Sequence, residues 1–162
     1  MDYFELACAL SRAEGKRLMP VPKRFKECAA DNPGKIYFDY FEEGIRVLIL
    51  RGPASVNCYL GIPSSHPLAG FSYDDLPVEC HGGLTFGKDG TGDFPNGFYW
   101  YGYDYSHAGD MPFYELKYPQ MKRSHEEHPW TPEEVKKDAW SAIWSFKKLM
   151  NLAETIAAKV PK

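Results

Sequence analysis

The chain has 162 residues, a formal net charge of −3, and 44% hydrophobic and 25% charged residues. That composition belongs to globular domains rather than disordered chains, and the length suits one domain whose core needs neither disulfide nor metal. The acidic balance argues against direct binding of nucleic acid, which needs a surplus of basic side chains for its phosphates.

Residues Tyr3 to Arg12 carry apolar positions at Phe4, Ala7, Cys8 and Leu10, which predicts a short N-terminal helix ended by Gly15. Leu18 to Lys35 is broken by Pro20, Pro22, Pro33 and Gly34 and reads as an irregular connection with a helical turn at Phe25–Ala30. Ile36–Phe41 and Ile45–Leu50 flank Glu42-Glu43-Gly44, the pattern of a β-hairpin with a short glycine turn. Val56–Ile62, Val78–Phe86 and Phe98–Tyr105 read as three further strands, the last two separated by the turn-rich run Gly87–Gly97.

The last element has the clearest signature. Thr131-Pro132-Glu133-Glu134 is a capping box with proline at the first helical position, in which the threonine and glutamate side chains satisfy orphan N–H groups. Val135, Ala139, Ile143, Phe146, Met150, Ala153 and Ala157 then recur at steps of three and four, with Trp140, Trp144 and Leu149 widening the stripe. Core packing is the simpler role for the tryptophans, a partner surface the other. The expected fold is α+β: a mainly antiparallel sheet, a short N-terminal helix, and a long C-terminal amphipathic helix packed on the sheet, all in one domain spanning 1–162.

Cys8, Cys28, Cys58 and Cys80 are dispersed, with no CxxC pair for zinc. Asp2, Tyr3 and Glu5 follow Met1 with no basic region or apolar run of leader type, so reduced thiols and a cytoplasmic location are expected. No segment approaches the ~20 apolar residues of a membrane span.

Chemistry concentrates between Val56 and Asp110, which holds ten of the 14 glycines, three of the five histidines, and seven acidic residues against Lys88 alone, a formal −6. In Cys80-His81-Gly82-Gly83-Leu84-Thr85-Phe86 the glycines let backbone amides approach a ligand, while the imidazole of His81 donates, accepts or binds metal. The bland alternative is a tight bend with a hydrogen-bonded histidine. In Tyr103-Asp104-Tyr105-Ser106-His107-Ala108-Gly109-Asp110, the residues Asp104, His107 and Asp110 stand three apart. They converge if the chain turns there and diverge if the strand runs on. Local turn-capping by the two aspartates is the alternative there.

Gly61–Leu68 is a proline-bounded turn that is either a binding loop or a plain turn with an exposed His66; His125 and His128 sit in a solvated loop. Tyr99, Tyr101 and Tyr103 alternate with Trp100 and Gly102 along a strand, and one face of such a strand suits stacking against a flat ring. Phosphate-binding loop, dinucleotide fingerprint, GxSxG elbow and HExxH are all absent.

Three blocks, Asn57–Leu68 with Tyr73-Asp74-Asp75, His81-Gly-Gly-Leu-Thr-Phe86, and Gly102–Asp110, resemble a family of small uncharacterised proteins encoded by phages, prophages and some bacteria. The blocks cover about a third of the chain. The resemblance implies no activity. By analogy it implies a context of host defence in the host cytoplasm, where some signals are nucleotides.

Two functions follow as expectations. One is a small-molecule, nucleotide-like binding protein that sequesters a defence signal, with Tyr99, Tyr101 and Tyr103 stacking a base and His81, Gly82, Gly83, Thr85, Asp104, His107 and Asp110 taking its polar groups. The other is a metal-dependent or acid/base hydrolase of a small phosphorylated substrate, with His81 and His107 catalytic. A protein whose blocks only build the fold is the third. The cofactor, the metal and the oligomeric state, including a homo-oligomer, stay open at this level.

Overall fold

A computed structural model describes residues 2–6, 21–122 and 126–161. Residues 3–6 are helical, and the rest of the expected N-terminal helix lies outside the described residues. The expected helical turn is a two-turn helix, α1 (Lys23–Ala30), which buries Phe25 and Cys28.

Five strands follow: β1 (Ile36–Glu42), β2 (Ile45–Arg51), β3 (Val56–Pro63), β4 (Phe86–Asp89) and β5 (Phe98–Tyr103). They form one antiparallel sheet in the order β1-β2-β3-β5-β4. Glu43 and Gly44 both have positive φ, 53° and 77°. Two consecutive positive values match the twist of a two-residue hairpin, which is why glycine serves here.

Side-chain alternation divides the sheet into two faces. Ile45, Val47 and Ile49 on β2, Val56, Cys58, Leu60 and Ile62 on β3, and Tyr101 and Tyr103 on β5 are buried in one apolar core. The long helix covers that core. Leu48 and Trp100 are buried on the opposite face, which the 90–97 loop closes by laying Phe94 near Tyr59, Phe86 and Trp100. Two strand glycines make this outer layer possible. Gly61 pairs with Trp100 and Gly102 with Tyr59, and a Cβ on either would run into its partner's ring. The flat rings therefore lie directly on bare backbone, an arrangement that restores packing to a strand glycine.

Two strand expectations need correction. Val78–Thr85 is not extended pairing: Gly82 and Gly83 have φ of 69° and 79°, a left-handed pair that no strand accommodates, so pairing starts only at Phe86 and takes in the first residues of the expected turn run. The fifth strand stops at Tyr103 because the chain turns immediately beyond it.

Beyond β5 come a single-turn helix, α2 (Tyr114–Lys117), and the long helix α3 (Pro132–Lys159) of 28 residues. The Thr131 hydroxyl accepts the Glu134 N–H at 3.4 Å, forming half of the expected capping box. The other half is diverted, since the Glu134 carboxylate meets His128 Nε2 at 2.6 Å. Val135, Ala139, Ala142, Ile143, Phe146 and Met150 face the core, with Phe146 edge-on to Tyr101. Beyond Met150 only Ala153 of the apolar stripe still packs against the core. Leu152, Ile156 and Ala157 are exposed, and so is Trp140, at 58%. Among the described residues no helix is long and apolar enough to cross a membrane.

Candidate functional site

The two histidine-bearing blocks meet at the end of β5. The strand delivers Tyr103 to the core, and the backbone then folds back, with the Asp110 N–H donating to His107 O and the His107 N–H donating to Asp110 Oδ2 at 2.9 Å. This turn satisfies the condition set by the three-residue spacing. His107 Nδ1 lies 3.5 Å from Asp110 Oδ2, and its Nε2 lies 3.7 Å from Asp104 Oδ1. Asp104 is itself held by the Ser106 N–H and hydroxyl, at 3.1 and 2.8 Å.

The His81 block comes to the same carboxylate from the loop before β4. His81 Nε2 is 2.7 Å from Asp110 Oδ2. Its ring stacks on Tyr105 at 4.4 Å between centroids and 14° between planes, which fixes the plane of the imidazole. Tyr105 is anchored in turn by donating to Asp138 Oδ2 at 2.6 Å. Burial and that hydrogen bond push the Tyr105 hydroxyl far above its ordinary range, so it is a neutral donor. Trp130 completes the surroundings, its Nε1–H donating to Asp110 Oδ1 at 2.8 Å.

Gly82 accounts for the close approach of the two blocks. A Cβ at that position would collide with the His107 ring, and its φ of 69° is left-handed. Gly83 supplies the second left-handed residue, and its N–H is spent on Cys80 O at 3.1 Å rather than offered to a ligand as expected. Thr85 stands at the rim, its hydroxyl 3.4 Å from Asp104 Oδ2.

Donor atoms of His81, His107 and Asp110 all lie within 4.8 Å of one another. Asp110 is 3% exposed, whereas both imidazoles keep an edge in solvent. Two imidazoles and one carboxylate form a donor set suited to zinc and to other first-row divalent ions. A tetrahedral ion with ligands at about 2.0–2.1 Å separates its donors by about 3.3 Å. The His107–Asp110 separation already matches. The shorter His81–Asp110 contact is a hydrogen bond, whose proton occupies the place a cation would take.

The remaining site expectations divide clearly. Tyr101 is 0% and Tyr103 2% exposed, so both rings belong to the core and neither can stack a base. Tyr99 is half-buried against Tyr101 at the opposite end of the strand, about 13 Å from the turn at 3.3 Å per residue. His66 lies in a turn but is not exposed. Its side chain is 6% accessible, its Nδ1 accepts the Leu68 N–H, and its Nε2 faces Glu154 at 3.1 Å. His128 is exposed and belongs to the frame, its N–H bonded to Gly109 O. His125 lies outside the described residues. Burial pushes the Cys58 and Cys80 thiols up to about 12, so neither is a nucleophile at neutral pH.

Sequence reasoning missed Trp130, the stacking role of Tyr105, and Asp138. All three are set by tertiary contacts, and no local spacing announces them.

No protein-family model, curated protein or solved structure matches the chain.

Proposed function

We propose that the chain is a divalent-metal protein, with zinc the simplest occupant, and that the metal serves hydrolysis of a small phosphorylated substrate. The observation that carries this reading is the convergence of His81, His107 and Asp110 on one point from two separate loops. Three protein ligands leave a fourth position for water or substrate, the pattern of hydrolytic rather than structural zinc. Asp104 behind His107 and Trp130 behind Asp110 are the outer partners that orient ligands in such sites. The ion also resolves an electrostatic conflict: a window with a formal −6 repels phosphate, whereas a bound dication at its centre attracts it.

In this mechanism the ion, when bound, lowers the pKa of its water and polarises the phosphoryl oxygen. The residues of the chain hold and orient. Tyr105 fixes the plane of His81, Asp104 fixes His107, and Trp130 keeps Asp110 turned toward the two rings. Sequestration of a nucleotide-like ligand without turnover would place its phosphate at the same centre, since the expected base-stacking face is buried.

Hydrolysis of p-nitrophenyl phosphate and bis-p-nitrophenyl phosphate, with the protein loaded in turn with Zn2+, Mn2+ and Co2+, tests the reading. The expected result is activity lost with chelator, restored by metal, and reduced by about 100-fold or more in His81→Ala and His107→Ala. Metal binding without turnover of either ester, or of a panel of nucleotides, would leave a binding protein. Activity indifferent to chelator and to both substitutions would dismiss the site.

A further inference from the structure

The outer face of α3 is an unused apolar surface. Trp140, Trp144, Leu152 and Ile156 follow one another at multiples of four residues and are 58, 36, 57 and 56% exposed. The two tryptophans line a groove of about 590 Å³ with Pro77, Glu79, Lys148 and Leu152. The helix then runs on past the sheet, so that from Asn151 to Val160 every residue except Ala153 is exposed. The first half of the stripe is thus an aromatic groove backed by the core, and the second half is an exposed aliphatic ridge on a helix end held to the body through Ala153 and the Glu154–His66 contact.

We infer that this face pairs two copies of the chain, with the α3 helices antiparallel across a two-fold axis. Antiparallel pairing centred between Trp144 and Lys148 lays Leu152 of each protomer on Trp140 of the other and sets Lys148 of each beside the other's Trp144. Rows of residues at steps of four on facing helices interdigitate at a favoured crossing angle. The charges are self-complementary in the same register. Glu79 is tied to the middle of the helix by its N–H, which donates to Ser145 Oγ at 2.8 Å, and it borders the groove beside Lys148. Among the described residues neither Glu79 nor Lys148 is in a salt bridge within its own chain. A two-fold axis near this point brings the Lys148 of each protomer to the other's Glu79, giving two identical cross-pairs. An isologous interface requires that reciprocity, whereas an unrelated partner does not.

Sedimentation velocity on the full chain, at concentrations up to about 100 µM, tests the pairing. A concentration-dependent dimer is expected. Trp144→Glu should make it monomeric with an unchanged far-UV spectrum. Glu79→Lys and Lys148→Glu should each raise the dimer dissociation constant by about tenfold or more, because each sets like charges against one another. Mixing these two variants should restore the dimer, since one then carries only basic side chains at the cross-pair and the other only acidic ones, and they complement each other only between molecules. A chain that stays monomeric at every concentration, or a dimer insensitive to all three substitutions, would overturn the inference.

Discussion

Asp110→Ala is expected to destabilise the domain by about 2–4 kcal/mol and to abolish metal binding, two effects that separate experimentally. The carboxylate is almost wholly buried and faces His81 Nε2, the His107 N–H and the Trp130 indole N–H at 2.7, 2.9 and 2.8 Å. Removing it leaves these groups without that acceptor at a position that is itself buried. Each also loses a tether, because the three donors come from the 80–84 loop, the turn after β5 and the segment before α3. Asp110→Asn keeps the volume but turns an amide N–H toward at least one existing donor. It should therefore also destabilise the fold, by about 1–3 kcal/mol. Urea unfolding measures the loss. The second effect appears on adding Zn2+: the wild-type protein should gain about 2.7 kcal/mol at a free concentration one hundred times the dissociation constant, and the variants nothing. Equal stability of Asp110→Ala and wild type would show that the carboxylate is not the hub of these three segments.

The second large effect is expected far from that centre, at Arg51. Its guanidinium is buried at the end of β2 and donates to four backbone carbonyls: Cys28 O at 3.2 Å, Ala29 O at 2.9 Å, Gly52 O at 2.6 Å and Pro53 O at 3.0 Å. Cys28 and Ala29 lie in the last turn of α1, whose carbonyls carry the negative end of the helix dipole; Cys28 O also accepts the Asp31 N–H at 3.1 Å. The charge sits over the Phe113 ring, with Cζ 4.4 Å from the ring centroid. One side chain thus caps a helix, closes the 52–55 turn and joins both to the segment after β5. Arg51→Ala should cost on the order of 3 kcal/mol, read by urea unfolding. Arg51→Lys should recover less than half of that loss, because a single ammonium cannot reach acceptors arranged around a planar fork. Full recovery by lysine would mean that charge alone, not the geometry of the fork, holds the carbonyls.

Much of this architecture was legible in the residues. The hairpin of β1 and β2 followed from two apolar runs around Glu43-Gly44, and the long helix from Thr131-Pro132 and its stripe. Both signals are local, so tertiary context had little to override. The failures lie where local pattern and tertiary structure part. Val78–Thr85 looks extended in composition, yet the left-handed pair at Gly82 and Gly83 sends it into a turn. The stripe of α3 continues past Met150 in sequence, but the sheet beneath it ends. Tyr101 and Tyr103 alternate as a half-exposed strand would, but Phe146 of α3 covers Tyr101 and Tyr103 is buried beside Tyr105.

The centre itself was half legible. Asp104, His107 and Asp110 gave a spacing that either converges or diverges, and the turn after Tyr103 makes it converge. Joining His81 to them needed the sheet, because β4 returning beside β5 carries the preceding loop to the end of that strand. In Cys80-His81-Gly82-Gly83 the glycines have a structural role different from the one expected of them. Gly82 makes room for the ring of His107 rather than for a ligand, and Gly83 spends its amide within the turn.

The most direct test of the proposed centre is titration of the metal-free protein with Co2+, followed by visible absorption. One ion per chain is expected, with a d–d band of tetrahedral or five-coordinate intensity, displaced by Zn2+ and absent from His81→Ala, His107→Ala and Asp110→Asn. A spectrum identical to aqueous Co2+ at saturating protein, or a band that survives all three substitutions, would contradict the metal centre and leave His81–Asp110–Trp130 as a hydrogen-bonded clip that only holds three segments together.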